Sequence, residues 1–141
     1  MTETYEGACH CGALGVSYST ALRPGDAVIR ECQCGFCRLH AAQVVSDPTG
    51  SLRFDERVPG TLHRYTFGLK TADYLLCTRC GAYMGAVITT EGARFGIVNI
   101  RTLADYYSFT GIIDLLSFDA EDLAQRVARR VANWTPVLGG T

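Results

Sequence analysis

The sequence predicts a mainly β protein that closes with a single C-terminal helix. Three observations carry this. Fifteen glycines and seven tyrosines in 141 residues, with no long charged helix, suit a turn-rich β chain. Short alternating apolar runs recur between turn dipeptides: Pro24-Gly25, Asp47-Pro48, Pro59-Gly60 and Glu91-Gly92. Helical periodicity is confined to residues 117–136.

The elements follow in order. In GACHCGALGVSYST (7–20), a cysteine turn leads into a strand with Leu14, Val16 and Tyr18 on one face. Val28–Cys32 forms a short strand, AAQVVSDP (41–48) another, and SLRF (51–54) a third with Leu52 and Phe54 inward. TLHRYTF (61–67) alternates with His63, Tyr65 and Phe67 on one side. ADYLLCTRCG (72–81) is a strand ending in a second cysteine turn, and AYMGAVITT (82–90) leaves it. Glu91-Gly92 turns the chain into ARFGIVNI (93–100). The final helix, about 119–134, sets Leu123, Val127 and Val131 on its inner face near Ala120 and Trp134, with Ser117 or Asp119 as cap. Its arginines then form a solvated face. No repeat, linker or low-complexity tract divides the chain, so residues 1–141 are expected to be one domain.

The formal net charge of −1 argues against nucleic acid or an anionic membrane as partner. The N-terminus has neither the basic nor the apolar region of a secretory signal, and the apolar runs are too short to span a bilayer. A cytoplasmic location is the default, and oligomeric state is left open.

In such a compartment seven cysteines need a use, because thiols stay reduced there and an odd number cannot pair fully. They fall in three clusters: Cys9 with Cys11; Cys32, Cys34 and Cys37; Cys77 with Cys80. Cys77-Thr-Arg-Cys80-Gly81 has the spacing of a zinc knuckle, in which a tight turn presents two sulfurs and the glycine admits backbone N–H groups close to them. Cys9-His10-Cys11-Gly12 is a shorter form of it. Together they supply a closed set of four, which is structural zinc geometry; three sulfurs then remain, the number a catalytic zinc takes. Spacing does not force this partition, since any two clusters could share an ion. His40, three residues after Cys37, could also close the second set as three thiolates and an imidazole. His10 and His63 fit surface positions better.

An open three-thiolate zinc carries net negative charge, so it acidifies water poorly and suits a soft ligand such as a substrate thiolate. Tyr65, Asp73 and Tyr83 are available acid or base types, but nothing in the sequence puts them beside the metal.

The pieces GACHCGALGVSY (7–18), ECQCGFCRLH (31–40), GTLHRYTFG (60–68) and LLCTRCGAYM (75–84) resemble the glutathione-dependent formaldehyde-activating enzyme family, which includes centromere protein V. The resemblance covers about residues 5–100. It implies the Mss4-like β-tent fold of small twisted antiparallel sheets around zinc. It assigns Cys9, Cys11, Cys77 and Cys80 to a structural zinc, and Cys32, Cys34 and Cys37 to a second, open zinc where the glutathione sulfur binds. It makes His40 a bystander. The implied reaction is a carbon–sulfur lyase type, the condensation of formaldehyde with glutathione. The alternative is a non-enzymatic thiol carrier or a zinc-stabilised binding module. Arg38 follows the second cluster as in the family, where it could meet a substrate carboxylate or simply face solvent. The chain departs from the family in its short central segment, which offers little material for a large glutathione pocket, and in IVNIRTLADYY (97–107), which matches loosely.

Overall fold

The computed structural model describes residues 1–139. The chain is mainly β with one main C-terminal helix, as expected, and its strands form two sheets. The smaller sheet joins β1 (Glu3–Ala8), β2 (Leu14–Thr20) and β5 (Ser51–Glu56) in antiparallel order β1-β2-β5. The alternation seen in the sequence is realised there: Val16, Tyr18, Leu52 and Phe54 are buried, while Arg53 faces solvent.

The larger sheet is built around a meander of β6 (Leu62–Tyr65), β7 (Asp73–Cys77), β8 (Tyr83–Thr90) and β9 (Ala93–Asn99). Glu91-Gly92 forms its tight β8–β9 turn. β9 then pairs with β4 (Val44–Val45), and β4 with β3 (Ile29–Cys32). Beyond β3 lies β10 (Ile113–Leu116), paired parallel to it; the other pairings in the sheet are antiparallel. The apolar core lies where the sheets meet, with Val16, Leu52, Leu75, Met84 and Val98 almost wholly enclosed. In β6 the alternation turns Leu62 toward this core and leaves His63 and Tyr65 exposed.

Two short pieces carry the second cysteine cluster. β3 ends at Cys32, and α1 (Gly35–Leu39) is a single turn whose first N–H groups need an acceptor. Cys34 supplies one, its Sγ accepting from the Cys37 N–H at 3.4 Å.

The C-terminal helix α2 (Leu123–Asn133) is shorter than expected and starts later. Asp122 caps it in a reciprocal box with Gln125, at 2.8 and 2.9 Å, so neither Ser117 nor Asp119 is the cap. Its orientation is also corrected. Leu123 is 54% exposed and Val131 39%, whereas Arg130 is 6% exposed and Arg126 and Arg129 are half-buried. The arginines turn inward because they have partners there. Arg129 grips Glu121 through two hydrogen bonds, at 2.8 and 3.0 Å, and lies 3.5 Å over the Phe118 ring. Arg130 lies over Trp134 at 4.8 Å and donates to Thr71 Oγ1 at 2.6 Å. The far end of α2 is fixed by β11 (Thr135–Pro136) on β9 and by the Ser46 hydroxyl, which donates to the Asn133 carbonyl. No helix among the described residues is long and apolar enough to cross a membrane.

Candidate metal centres

Four cysteines meet where the two sheets come together. Cys9 and Cys11 lie in the turn between β1 and β2, Cys77 ends β7, and Cys80 sits in the turn leading to β8. Their sulfurs all lie within 4.8 Å of one another, with Cys9–Cys11 at 3.7 Å and Cys11–Cys77 at 3.6 Å. No disulfide joins them. Sulfurs placed tetrahedrally at ~2.3 Å from a zinc ion stand about 3.8 Å apart. The observed spacing is close to that and far from a covalent bond.

The two turns solve one problem in the same way. The Gly12 N–H bonds to the Cys9 carbonyl at 3.1 Å, and the Gly81 N–H to the Cys77 carbonyl at 2.8 Å. Both glycines adopt positive φ, 82° and 78°, which a side chain would strain. Each turn also aims N–H groups at sulfur, among them Leu14 at Cys9 (3.3 Å) and Arg79 at Cys77 (3.4 Å). Such donors favour thiolate. Against the cost of its burial, the Cys11 and Ala82 N–H groups hold Cys80 down to about 6.

The second cluster contains Cys32, Cys34 and Cys37, again with sulfurs within 4.8 Å. A hydrogen bond from Cys37 holds Cys32 down to about 6 in spite of its burial, with the Cys34 N–H and Arg129 acting in the same direction. That same hydrogen bond, with burial, pushes Cys37 well up. Three crowded sulfurs that share protons in this way are a donor set whose mutual repulsion a cation relieves. Both clusters could therefore hold a zinc-type metal.

His40 does not join the second set. Its ring packs on Phe36, with centroids 4.2 Å apart, and its Nδ1–H donates to the Phe36 carbonyl at 2.9 Å. Phe36, between Cys34 and Cys37 in sequence, is the hub of an aromatic wall that includes Phe67, Tyr74 and Tyr83. Tyr83 is buried and its hydroxyl has no hydrogen-bond partner among the described residues. Burial, and then the charge of Cys37, raises it well above the ordinary tyrosine value. Asp73 is instead in a half-exposed ion pair with Arg64, and Tyr65 stacks at the rim on Phe36. His10 and His63 are exposed.

Two spaces adjoin Cys32 and Cys37. An open cleft of about 240 Å³ is lined also by Gln33, Arg38 and Arg101. A narrower cavity of about 50 Å³ lies on the α2 side and is lined also by Arg30, Tyr74, Phe118, Arg129, Arg130 and Trp134. Tyr74 and these arginines are site residues that the sequence did not reveal. For Arg129 and Arg130 the available signal was a helix rich in arginine with one nearby glutamate, which reads equally well as a solvated face.

No family model and no curated protein matches this chain. A solved structure does: the crystal structure of a Rhodobacter sphaeroides protein is similar at 30% identity and a TM-score of 0.56, over 70% of this chain and 87% of that one. At that identity and coverage, the chain belongs to the same family as the Rhodobacter sphaeroides protein.

Proposed function

We propose that this is a cytoplasmic two-zinc protein of the glutathione-dependent formaldehyde-activating type, which binds glutathione or another small thiol at Cys32, Cys34 and Cys37 and adds it to an aldehyde. The observation that carries this reading is the contrast in donor count. Cys9, Cys11, Cys77 and Cys80 form a complete set of four, while the second cluster has three sulfurs and two adjoining spaces.

Zinc held by those three sulfurs would keep a substrate thiol deprotonated near neutral pH and orient it. The reaction is an addition. A carbon–sulfur bond forms, the carbonyl π pair moves onto oxygen, and that oxygen takes a proton in place of the one the thiol gave up. The chain's own part is positional. Phe36 and its aromatic neighbours wall one side of the cluster. Tyr83, buried near the sulfurs, retains its proton, which excludes it as a base. Arg38 and Arg101 line the open cleft together with Glu31, so its charge is mixed. Seven unpaired thiols suit a reducing compartment.

The test is the absorption spectrum of cobalt-substituted protein with and without glutathione. A new sulfur-to-metal band on adding the thiol supports the reading, and no band with any small thiol sinks it. Turnover above the spontaneous thiol–aldehyde reaction separates an enzyme from a carrier.

A further inference from the structure

The cavity on the α2 side has a charge composition that thiol binding alone does not require. Arg30, Arg129 and Arg130 line it, and Arg126 lies just behind, bonded to the Phe118 carbonyl. The carboxylate among them is Glu121, which Arg129 and Arg126 share. Arg30 and Arg130 have no carboxylate partner among the described residues: Arg30 donates to Ser46 Oγ, and Arg130 to Thr71 Oγ1. Arg130 is 6% exposed, and its buried Nε has no hydrogen-bond partner among the described residues. A buried guanidinium stays charged and is costly to leave partly unsatisfied. A zinc ion on three thiolates carries a single negative charge, too little to balance this excess.

Besides the two cysteines, the remaining walls are mostly apolar: Ala42, Val44, Ile97, Phe118 and Trp134, with Tyr74. At about 50 Å³ the space admits roughly four water-sized groups, enough for a carboxylate and a methylene and too few for a tripeptide.

We propose that this cavity receives the carboxylate of a short thiol acid, with Arg130 and Arg30 as its specificity-determining residues. The sulfur end then lies at Cys32 and Cys37, which line the same cavity. This inference rests on the thiol-binding reading above and narrows it to short mercaptocarboxylates.

Trp134 is the chain's only tryptophan and lines the cavity, so its fluorescence reports occupancy directly. Zinc-loaded protein is titrated with 3-mercaptopropionate, with the neutral 2-mercaptoethanol and with sulfur-free propionate. The acid thiol is expected to bind more tightly than the neutral one by about tenfold or more. It and propionate should shift Trp134 emission, and 2-mercaptoethanol should not. Arg130→Met removes the preference, and Arg130→Lys restores part of it. The ligand series itself needs no variant, so a poorly folding Arg130→Met does not spoil the test. Equal affinities with a silent Trp134 overturn the assignment, leave thiol binding standing, and mean that the arginines only offset thiolate charge. Absence of a sulfur-to-metal band in the cobalt protein with every thiol overturns this inference together with the reading it rests on.

Discussion

Cys9, Cys11, Cys77 and Cys80 sit at the tips of two glycine-ended turns, with backbone N–H groups as their main polar neighbours. Cys32, Cys34 and Cys37 sit at a strand end and a single helical turn, among aromatic rings, half-buried and buried arginines and two adjoining spaces. The same ligand atom is thus placed in two kinds of surroundings. Around the first cluster the polypeptide supplies four donors and ties two sheets together. Around the second it supplies three donors and side chains of a different chemical character. The contrast teaches that the neighbours of a cysteine cluster, and not its spacing alone, separate a cross-link from a binding site.

Substitution at Cys77 tests this contrast most severely. Cys77→Ser is expected to remove the first metal and most of the stability of the fold, on the order of the whole 5–15 kcal/mol of a typical domain. Thermal melting followed by circular dichroism would show a lost or strongly lowered transition. Cys37→Ser is expected to reduce metal content from two ions per chain to one while the melting transition survives. If the two variants melt alike, the distinction between the clusters fails.

Smaller effects sharpen it. Gly81→Ala puts a side chain at φ 78°, where nothing lies within 4 Å of the new carbon. The cost is therefore backbone strain alone, about 1–2 kcal/mol by urea denaturation. In metal-free protein, Cys32 ionises at about 6, below its ordinary 9.0. Its alkylation by iodoacetamide should therefore already be fast at neutral pH and slow as pH falls through 6, when the thiolate is protonated. Mass mapping across pH 5–9 would contradict this if Cys32 lagged until pH 9. Least of all should happen in His40→Ala, whose ring contacts Phe36 rather than the sulfurs. Elemental analysis should still find two ions per chain.

The turns were legible because their causes are local: two cysteines, a following glycine and an adjacent strand dictate one geometry. The alternation of β2 and β5 was legible for the same reason, since Leu14, Val16, Leu52 and Phe54 face one core. What escaped depends on remote partners. In ETYEGA, only Tyr5 of β1 is buried, so periodicity is faint. β10 pairs parallel to a strand some eighty residues earlier and keeps Ile113 and Leu115 exposed, contrary to the usual inward pattern. The face of α2 was misread because Glu121, Phe118, Trp134 and Thr71 make arginine the inward residue, and helical periodicity sees only hydrophobicity. The second cluster's membership was visible in the sequence, but its charged surroundings were not.

The link between Cys11 and Cys77 has a consequence for how the chain acquires its structure. These residues are 66 positions apart, so an ion held between them closes a loop long enough for a covalent bridge to contribute roughly 4 kcal/mol through restriction of the unfolded chain. A metal achieves that restriction where disulfides are reduced, and it can be withdrawn and returned. It also imposes an order of events. In chain order the first turn is complete long before the second, so the set of four waits on Cys77 and Cys80. A metal that completed this shell would tie the turn of the smaller sheet to that of the larger, so its supply would be coupled to folding.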